Sequence, residues 1–212
     1  MKTIRNWFLT LVVFGAIGGG VFEYWNIDLR WRPHAITQDQ PEIGKILKGS
    51  GWVSPGLSGP VLYMIAYRDC DACNRYADTE FAKLHADGVD TRVILVARDD
   101  VNGVSKSTAA ERSTVAELWF NRSWALYQRW AAAPVETWTA PGIPPADGDV
   151  ARSAVVEVGR DMVDRLTPLL KDNGIDFAYP TLVWWTKDGA MQGCACDNPK
   201  SYPFVRKGLG VD

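Results

Sequence analysis

The pattern of apolar and polar positions changes period several times along this chain, and each change marks an element. Residues 7–22 are almost continuously apolar, broken only by Thr10 and glycines. Residues 26–59 lose any regular pattern, mixing charges with Pro33, Pro41, Pro55 and glycines; only residues 42–47 show helical spacing, so the stretch reads as a tether with one short helix. Residues 60–67 (PVLYMIAY) form a nearly unbroken apolar run of strand length, the pattern of a strand covered on both faces of a sheet. Tyr76, Ala77, Phe81 and Leu84 then recur at helical spacing until Asp87-Gly88 breaks the helix, and residues 89–97 (VDTRVILVA) have the β-branched content of a second strand. Strand, helix and strand in that order imply a parallel crossover.

From Ser107 the period is helical again. Thr108 and Glu111 stand in capping-box spacing, and Val115, Leu118, Trp119, Leu126 and Trp130 continue the apolar face until Pro134 stops it. A Pro/Gly-rich loop over about 134–149 precedes a helix over about 150–166, and Thr167-Pro168 is expected to cap a short third helix ending at Asn173-Gly174. Residues 181–186 (TLVWWT) read as a strand, Lys187-Asp188-Gly189 as a hairpin turn, residues 190–196 as the antiparallel return strand, and 199–209 as a modest final helix. The expected organisation is an export segment over 1–22, a tether over 23–58 and one α/β domain over 59–212, with a helical insertion over about 107–173.

Composition sharpens this picture at three points. A chain of 212 residues, 47% apolar and 23% charged, can bury one sizeable core and is short for two full domains. The formal charge of -2 comes from 23 basic and 25 acidic residues without a long single-sign run, which argues against a nucleic-acid partner. Lys2 and Arg5 ahead of the apolar run make it an export signal. Ala16 and Gly18 have the spacing of a cleavage site, whereas Phe22-Glu23-Tyr24-Trp25 resembles the interfacial belt of an uncleaved anchor. Both readings put the rest of the chain outside the cytoplasm, in the periplasm, either secreted or anchored by residues 7–22. All four cysteines follow that segment, as Cys70, Cys73, Cys194 and Cys196, and such a compartment permits disulfides.

The candidate chemistry lies in Cys70-Asp71-Ala72-Cys73. A cysteine opening a helix sits beside unpaired backbone N–H groups and the positive end of the helix dipole, which favours its thiolate. Cys70 follows the buried strand at once and opens the predicted helix, so it is the candidate attacking thiol, with Cys73 one turn on as the resolving thiol. The same spacing also serves zinc sites and structural disulfides. A second candidate is Tyr179-Pro180-Thr181, a proline at the entrance to a strand, where an X-Pro bond can be cis or a plain trans turn.

Together, PVLYMIAY running into CDAC, a helical insertion, and NGIDFAYPTLVWWTKDG resemble the thioredoxin-like superfamily, in particular the bacterial periplasmic disulfide isomerases and oxidases (DsbC/DsbG and DsbA type), over about residues 59–211. The resemblance implies a thioredoxin-like fold with the insertion between its CxxC half and its cis-proline half. It also implies thiol:disulfide oxidoreductase activity on exported proteins without a dissociable cofactor, oxidase or isomerase work ahead of reductase work, and a membrane or periplasmic redox partner. By the same resemblance Pro180 is cis and packs against Cys70–Cys73, while the Tyr179 backbone pairs with a substrate strand.

The chain departs from that pattern in several places. Asp69 and Asp71 place negative charge beside Cys70, opposing the helix terminus and Arg68 and pointing to a less oxidising pair than in the strongest oxidases. The tether is too short for a separate dimerisation domain, so a monomer is expected. Met64 takes the strand position where cytosolic thioredoxin has a buried acid, and Tyr179 is unusual before the proline.

Cys194-Ala195-Cys196 ends the return strand, with both side chains on one face. Three readings stay open: a local structural disulfide, a relay to Cys70 and Cys73, or a four-thiolate zinc or copper(I) site with them. A metal-binding or metal-delivery module and a redox-silent subunit of a membrane complex are therefore the alternative functions. His85 is expected to be a solvated residue near a helix end, and His34 has no evident partner. Trp119, Trp124, Trp130 and Trp138 are expected to roof the site from the insertion.

Overall fold

The computed structural model describes residues 18–25 and 29–211. Two compact units divide the chain, Met1–Arg32 and Pro33–Asp212. In the first, residues 18–25 are helical and Leu29–Trp31 form a 3-10 turn. The expected export segment lies mostly outside the described residues. Among those described, no helix is long and apolar enough to cross a membrane.

The second unit is built on a five-stranded sheet. Its elements in chain order are β1 (His34–Ala35), α1 (Gln40–Gly49), β2 (Val61–Ala66), α2 (Asp71–Ala86), β3 (Asp90–Leu95), α3 (Ala109–Asn121), α4 (Trp124–Ala132), α5 (Val150–Lys171), β4 (Thr181–Trp185), β5 (Met191–Ala195) and α6 (Tyr202–Leu209). The strand order is β1-β5-β4-β2-β3. Only β2 and β3 pair in parallel, through the α2 crossover; β2–β4, β4–β5 and β5–β1 are antiparallel.

Alternation along each strand sends side chains to two different cores. Leu62, Met64, Ala66, Val93, Leu95, Leu182 and Trp184 face one side, where α2, α3, α4 and α6 supply Tyr76, Leu118, Trp130 and Val205. Tyr63, Ile65, Ile94 and Val183 face the other, covered by Ile43 and Leu47 of α1 and Met162, Leu166 and Leu170 of α5. Filling both faces explains why β2 reads as an unbroken apolar run.

Three local expectations need correction. The stretch read as a tether is part of the second unit from Pro33 onward. Ile36, Ile43 and Leu47 are buried in its core, β1 extends the sheet, and Val53 bridges Val93. Outside the short helix its apolar residues are too few to show a period, yet Ile36, Ile43, Ile46, Leu47 and Val53 are all buried. The single helix expected up to Pro134 is two, because Arg122 turns left-handed and Ser123 caps α4 by accepting the Leu126 N–H at 3.2 Å. Conversely, the two helices expected over 150–173 are one. Pro168 lies inside α5, the Thr167 hydroxyl donates to Val163 O at 2.8 Å, and Leu166 and Leu170 hold the helix to the same core across the proline.

The capping box at Thr108 and Glu111 is formed as expected. Asp87 and Gly88, the latter at φ 79°, end α2, and the hairpin turn after β4 uses Gly189 at φ 85°.

Candidate functional site: a disulfide at a helix N-terminus

Cys70 is the N-cap residue of α2, in extended backbone geometry, and its Sγ accepts the Cys73 N–H at 3.1 Å. The two cysteines are joined as a disulfide with Cα atoms 5.2 Å apart. They are 3% and 2% exposed, so the pair sits within the surface and not upon it. The Asn74 amide donates to Arg68 O at 3.4 Å and the Asn74 N–H to Cys70 O at 2.9 Å, closing the turn that presents the sulfurs. Once reduced, Cys70 would have its sulfur beside the free N–H groups of the first turn, where a negative charge is favoured.

Pro180 enters the same end of the sheet. The Tyr179-Pro180 bond is cis, and β4 begins one residue later with Thr181 opposite Ile65 of β2. Continuing that register puts Pro180 beside Ala66 and Tyr179 beside Tyr67, and the two tyrosine rings meet edge to face at 4.9 Å. Phe177 extends the aromatic row at 5.1 Å from Tyr179, and Arg98 stacks 4.0 Å from the Tyr67 ring centroid. Burial, reinforced by Tyr67, pushes the Tyr179 phenol up to about 12. Beside Tyr179 a cavity of about 210 Å³ opens between the loop after β3 and α5, with Val96, Ala97 and Val163 among its walls and Arg98 and Lys106 at its rim.

Two charged groups escaped the sequence reading. Arg98 grips Asp69 with Nη2 at 2.8 and 2.9 Å from the two carboxylate oxygens, so the acid next to Cys70 is not a bare negative charge. Glu111, noticed only as a capping residue, is buried. Its carboxylate accepts the Thr108 N–H at 3.3 Å, and burial raises its pKa above the usual carboxylate range. Neither role has a local sequence signal, since both depend on chain segments far from the CxxC.

The insertion roofs the site only in part. Trp130 of α4 lines a cavity of about 20 Å³ behind Cys73, together with Met64, Leu95 and Tyr127. Trp124 packs instead at the far end of α2, against Phe81, Tyr127 and His85. The Trp119 indole donates to Leu95 O and the Trp138 indole to Thr114 Oγ1, each at 2.8 Å. His85 is half-buried, with Nε2 2.7 Å from Thr91 Oγ1. His34 lies in β1 opposite Gly193.

Cys194 and Cys196 form a second disulfide at the end of β5, and among the described residues no cysteine is free. The Cys196 N–H donates to Pro180 O at 2.9 Å, which joins the second pair to the proline strand.

No family model matches the chain, and neither does any curated protein. Among solved structures, it is similar to a linker-deletion mutant of ScsC from Proteus mirabilis. The TM-score is 0.52 at 12% identity, over 97% of this chain and 95% of that one. It is also similar to BcfH from Salmonella enterica Typhimurium, with a TM-score of 0.50 at 13% identity, over 99% and 94% of the two chains. The fold is thioredoxin-like. Within this thioredoxin-like fold the CxxC follows the central strand β2 and the cis-proline precedes its antiparallel neighbour β4, as the sequence resemblance implied. At such low identity the likeness concerns architecture; what the cysteines do has to be argued from their geometry.

Proposed function

We propose that the protein is a thiol:disulfide oxidoreductase of the periplasm, acting on exported proteins through Cys70 and Cys73. The observation that carries this reading is the Cys70–Cys73 disulfide at the N-terminus of α2, with Cys70 Sγ hydrogen-bonded to the Cys73 N–H, at the end of the sheet where the cis Tyr179-Pro180 bond also lies. In the oxidising direction a substrate thiolate attacks the Cys70 sulfur, breaks the Cys70–Cys73 bond and expels the Cys73 thiolate. A second substrate thiolate then attacks the substrate sulfur of the mixed disulfide and releases Cys70 as thiolate. The substrate loses two electrons and the CxxC gains them, with no dissociable cofactor. The Tyr179 backbone, next to Pro180, is the edge on which a substrate strand would lie.

Oxidase or isomerase work is favoured over reduction. The helix terminus stabilises the reduced Cys70 thiolate, and Arg98 offsets the one acid that precedes it, Asp69. The test is a glutathione redox titration of the full-length protein, with alkylation and peptide mass readout at each cysteine pair. The Cys70–Cys73 pair should titrate at about -120 to -210 mV, the span from strong oxidant to isomerase. A pair that stays oxidised down to about -270 mV or below would instead be a reductase or a staple of the fold.

A further inference from the structure

The Cys194–Cys196 pair has no part in that reaction, yet its position relates it to the first pair. Leu182 of β4 stands opposite Met64 of β2 on one side and Cys194 of β5 on the other, so these three residues form a row across the sheet. Continuing the same register two residues further toward the active-site end brings Ala66, Pro180 and Cys196 into line on the same face, and the Cys196 N–H donates to Pro180 O at 2.9 Å. Residues in register share a face, so the second disulfide lies on the face that α2 covers, in the same buried cluster as Cys70 and Cys73. Adjacent strands are about 4.8 Å apart, which sets Cys196 one strand beyond Pro180. Arg75 of α2, two residues after Cys73, reaches across to Asp197 O at 2.8 Å and ties the start of that helix to the residue after Cys196.

Burial separates this pair from an ordinary surface staple. Cys196 is 0% exposed and Cys194 5%, so Cys196 presents no surface to a thiol arriving from solvent. The other cysteine sulfurs of that buried cluster are those of Cys70 and Cys73.

We propose that Cys194–Cys196 is a second redox pair that exchanges with Cys70–Cys73 and holds a second oxidising equivalent behind it; this rests on the reading of Cys70–Cys73 as the substrate-facing pair. After one substrate has been oxidised, the Cys70 thiolate attacks the Cys196 sulfur. A Cys70–Cys196 bond forms, the Cys194–Cys196 bond breaks, and Cys194 leaves as thiolate. Cys73 gives up its proton and attacks the Cys70 sulfur, restoring Cys70–Cys73 and expelling Cys196. Two electrons pass inward, the Cys73 proton ends on the Cys194/Cys196 dithiol, and the total charge is unchanged.

The experiment counts oxidising equivalents. Fully oxidised full-length protein is mixed, without oxygen or glutathione, with excess reduced peptide carrying two cysteines, and the peptide disulfides formed per chain are counted while each pair is followed by alkylation and mass analysis. A relay gives two peptide disulfides per chain, with reduction of Cys194–Cys196 lagging that of Cys70–Cys73. The Cys194→Ser/Cys196→Ser variant gives one, and the Cys70→Ser/Cys73→Ser variant none. Wild-type protein that stops at one, with Cys194–Cys196 still oxidised, overturns the relay and leaves the first pair's function standing. One disulfide from the Cys70→Ser/Cys73→Ser variant overturns it too, since the second pair would then act alone. No disulfide from wild-type protein overturns the redox reading on which the relay rests. The wild-type time course needs no variant, so a misfolded variant does not shelter the proposal.

Discussion

Arg68 joins the loop before Cys70 to the insertion, and replacing it by Met measures that joint. It stands two residues before Cys70 and is 7% exposed. Its Nη2 donates to the carbonyls that end α4, Ala131 O at 3.4 Å and, more closely, Ala133 O, and its guanidinium lies 5.7 Å from the Trp130 ring centroid. Burial lowers its pKa below the ordinary arginine value, against the opposing pull of Glu111, and its Nε is buried without a hydrogen-bond partner. Arg68→Met forfeits a hydrogen bond from a charged donor, about 1.5–3 kcal/mol. It also forfeits a cation at a helix C-terminus, about 0.3–1 kcal/mol, and a cation–π contact, about 0.5–1 kcal/mol. Against this, the variant no longer buries a guanidinium with an unpaired Nε, a relief of about 1–3 kcal/mol. The net destabilisation is about 2 kcal/mol, which at a urea m-value of about 2 kcal/mol/M lowers the unfolding midpoint by about 1 M. Urea unfolding of the oxidised protein, followed by Trp fluorescence and circular dichroism, reads the shift, and hydrogen exchange in α4 shows where it acts. Arg68→Lys should recover part of the loss, because the charge returns without the planar fork. A Met variant within about 0.5 kcal/mol of wild type, with protection in α4 unchanged, would refute the joint.

Two further predictions concern buried polar groups. Burial lowers the pKa of His85, with Asp90 opposing, so the unfolded chain takes up this proton at a higher pH than the folded one. The stability tied to neutral His85 is thus complete above the unfolded value of about 6.5 and is lost as pH falls through the folded value; Tm should drop more steeply below about pH 6.5 in wild type than in His85→Gln, and equal slopes would contradict this. Glu80, 2% exposed, is held by Arg206 and, at 3.1 Å, by half-exposed Lys83. Arg206→Met should cost about 2–3 kcal/mol, below the full value for breaking a buried pair because Lys83 remains; the double variant with Glu80→Gln should be more stable than the single one, measured by urea unfolding.

How much of this was legible depends on how local each signal is. The CxxC, the strand before it and the X-Pro before β4 could be read because each carries its chemistry within a few residues. The break at Arg122-Ser123 was missed because Leu126 and Trp130 keep the apolar period across it, although Ser123 is itself an N-cap signal. Pro168 misled in the opposite sense, since a helix pressed to a core by Leu166 and Leu170 can tolerate one lost hydrogen bond. The short helix at 40–49 was legible, but the strand at 34–35 and the burial of that helix were hidden because they depend on β5 and α5, which lie more than a hundred residues further on.

The charge around Cys70 shows most clearly what local reading cannot supply. Asp69 in the sequence is an acid beside Cys70, and by itself it opposes a thiolate there. The parallel pairing of β2 with β3 sets Val61 against Asp90 and Ala66 against Leu95, a constant offset of 29 residues. Carried past the strand ends, that offset puts Asp69 beside Arg98, and the side chains meet there at 2.8 Å. A register displaced by one residue would bring Ala97 or Asp99 to the same place, leaving Asp69 alone or facing a second acid. Register is fixed far from the site, by Met64, Val93 and Leu95 having to face one core and Ile65 and Ile94 the other. The cores on either side of the sheet therefore select which charge stands next to Asp69, and through it the electrostatic setting of Cys70.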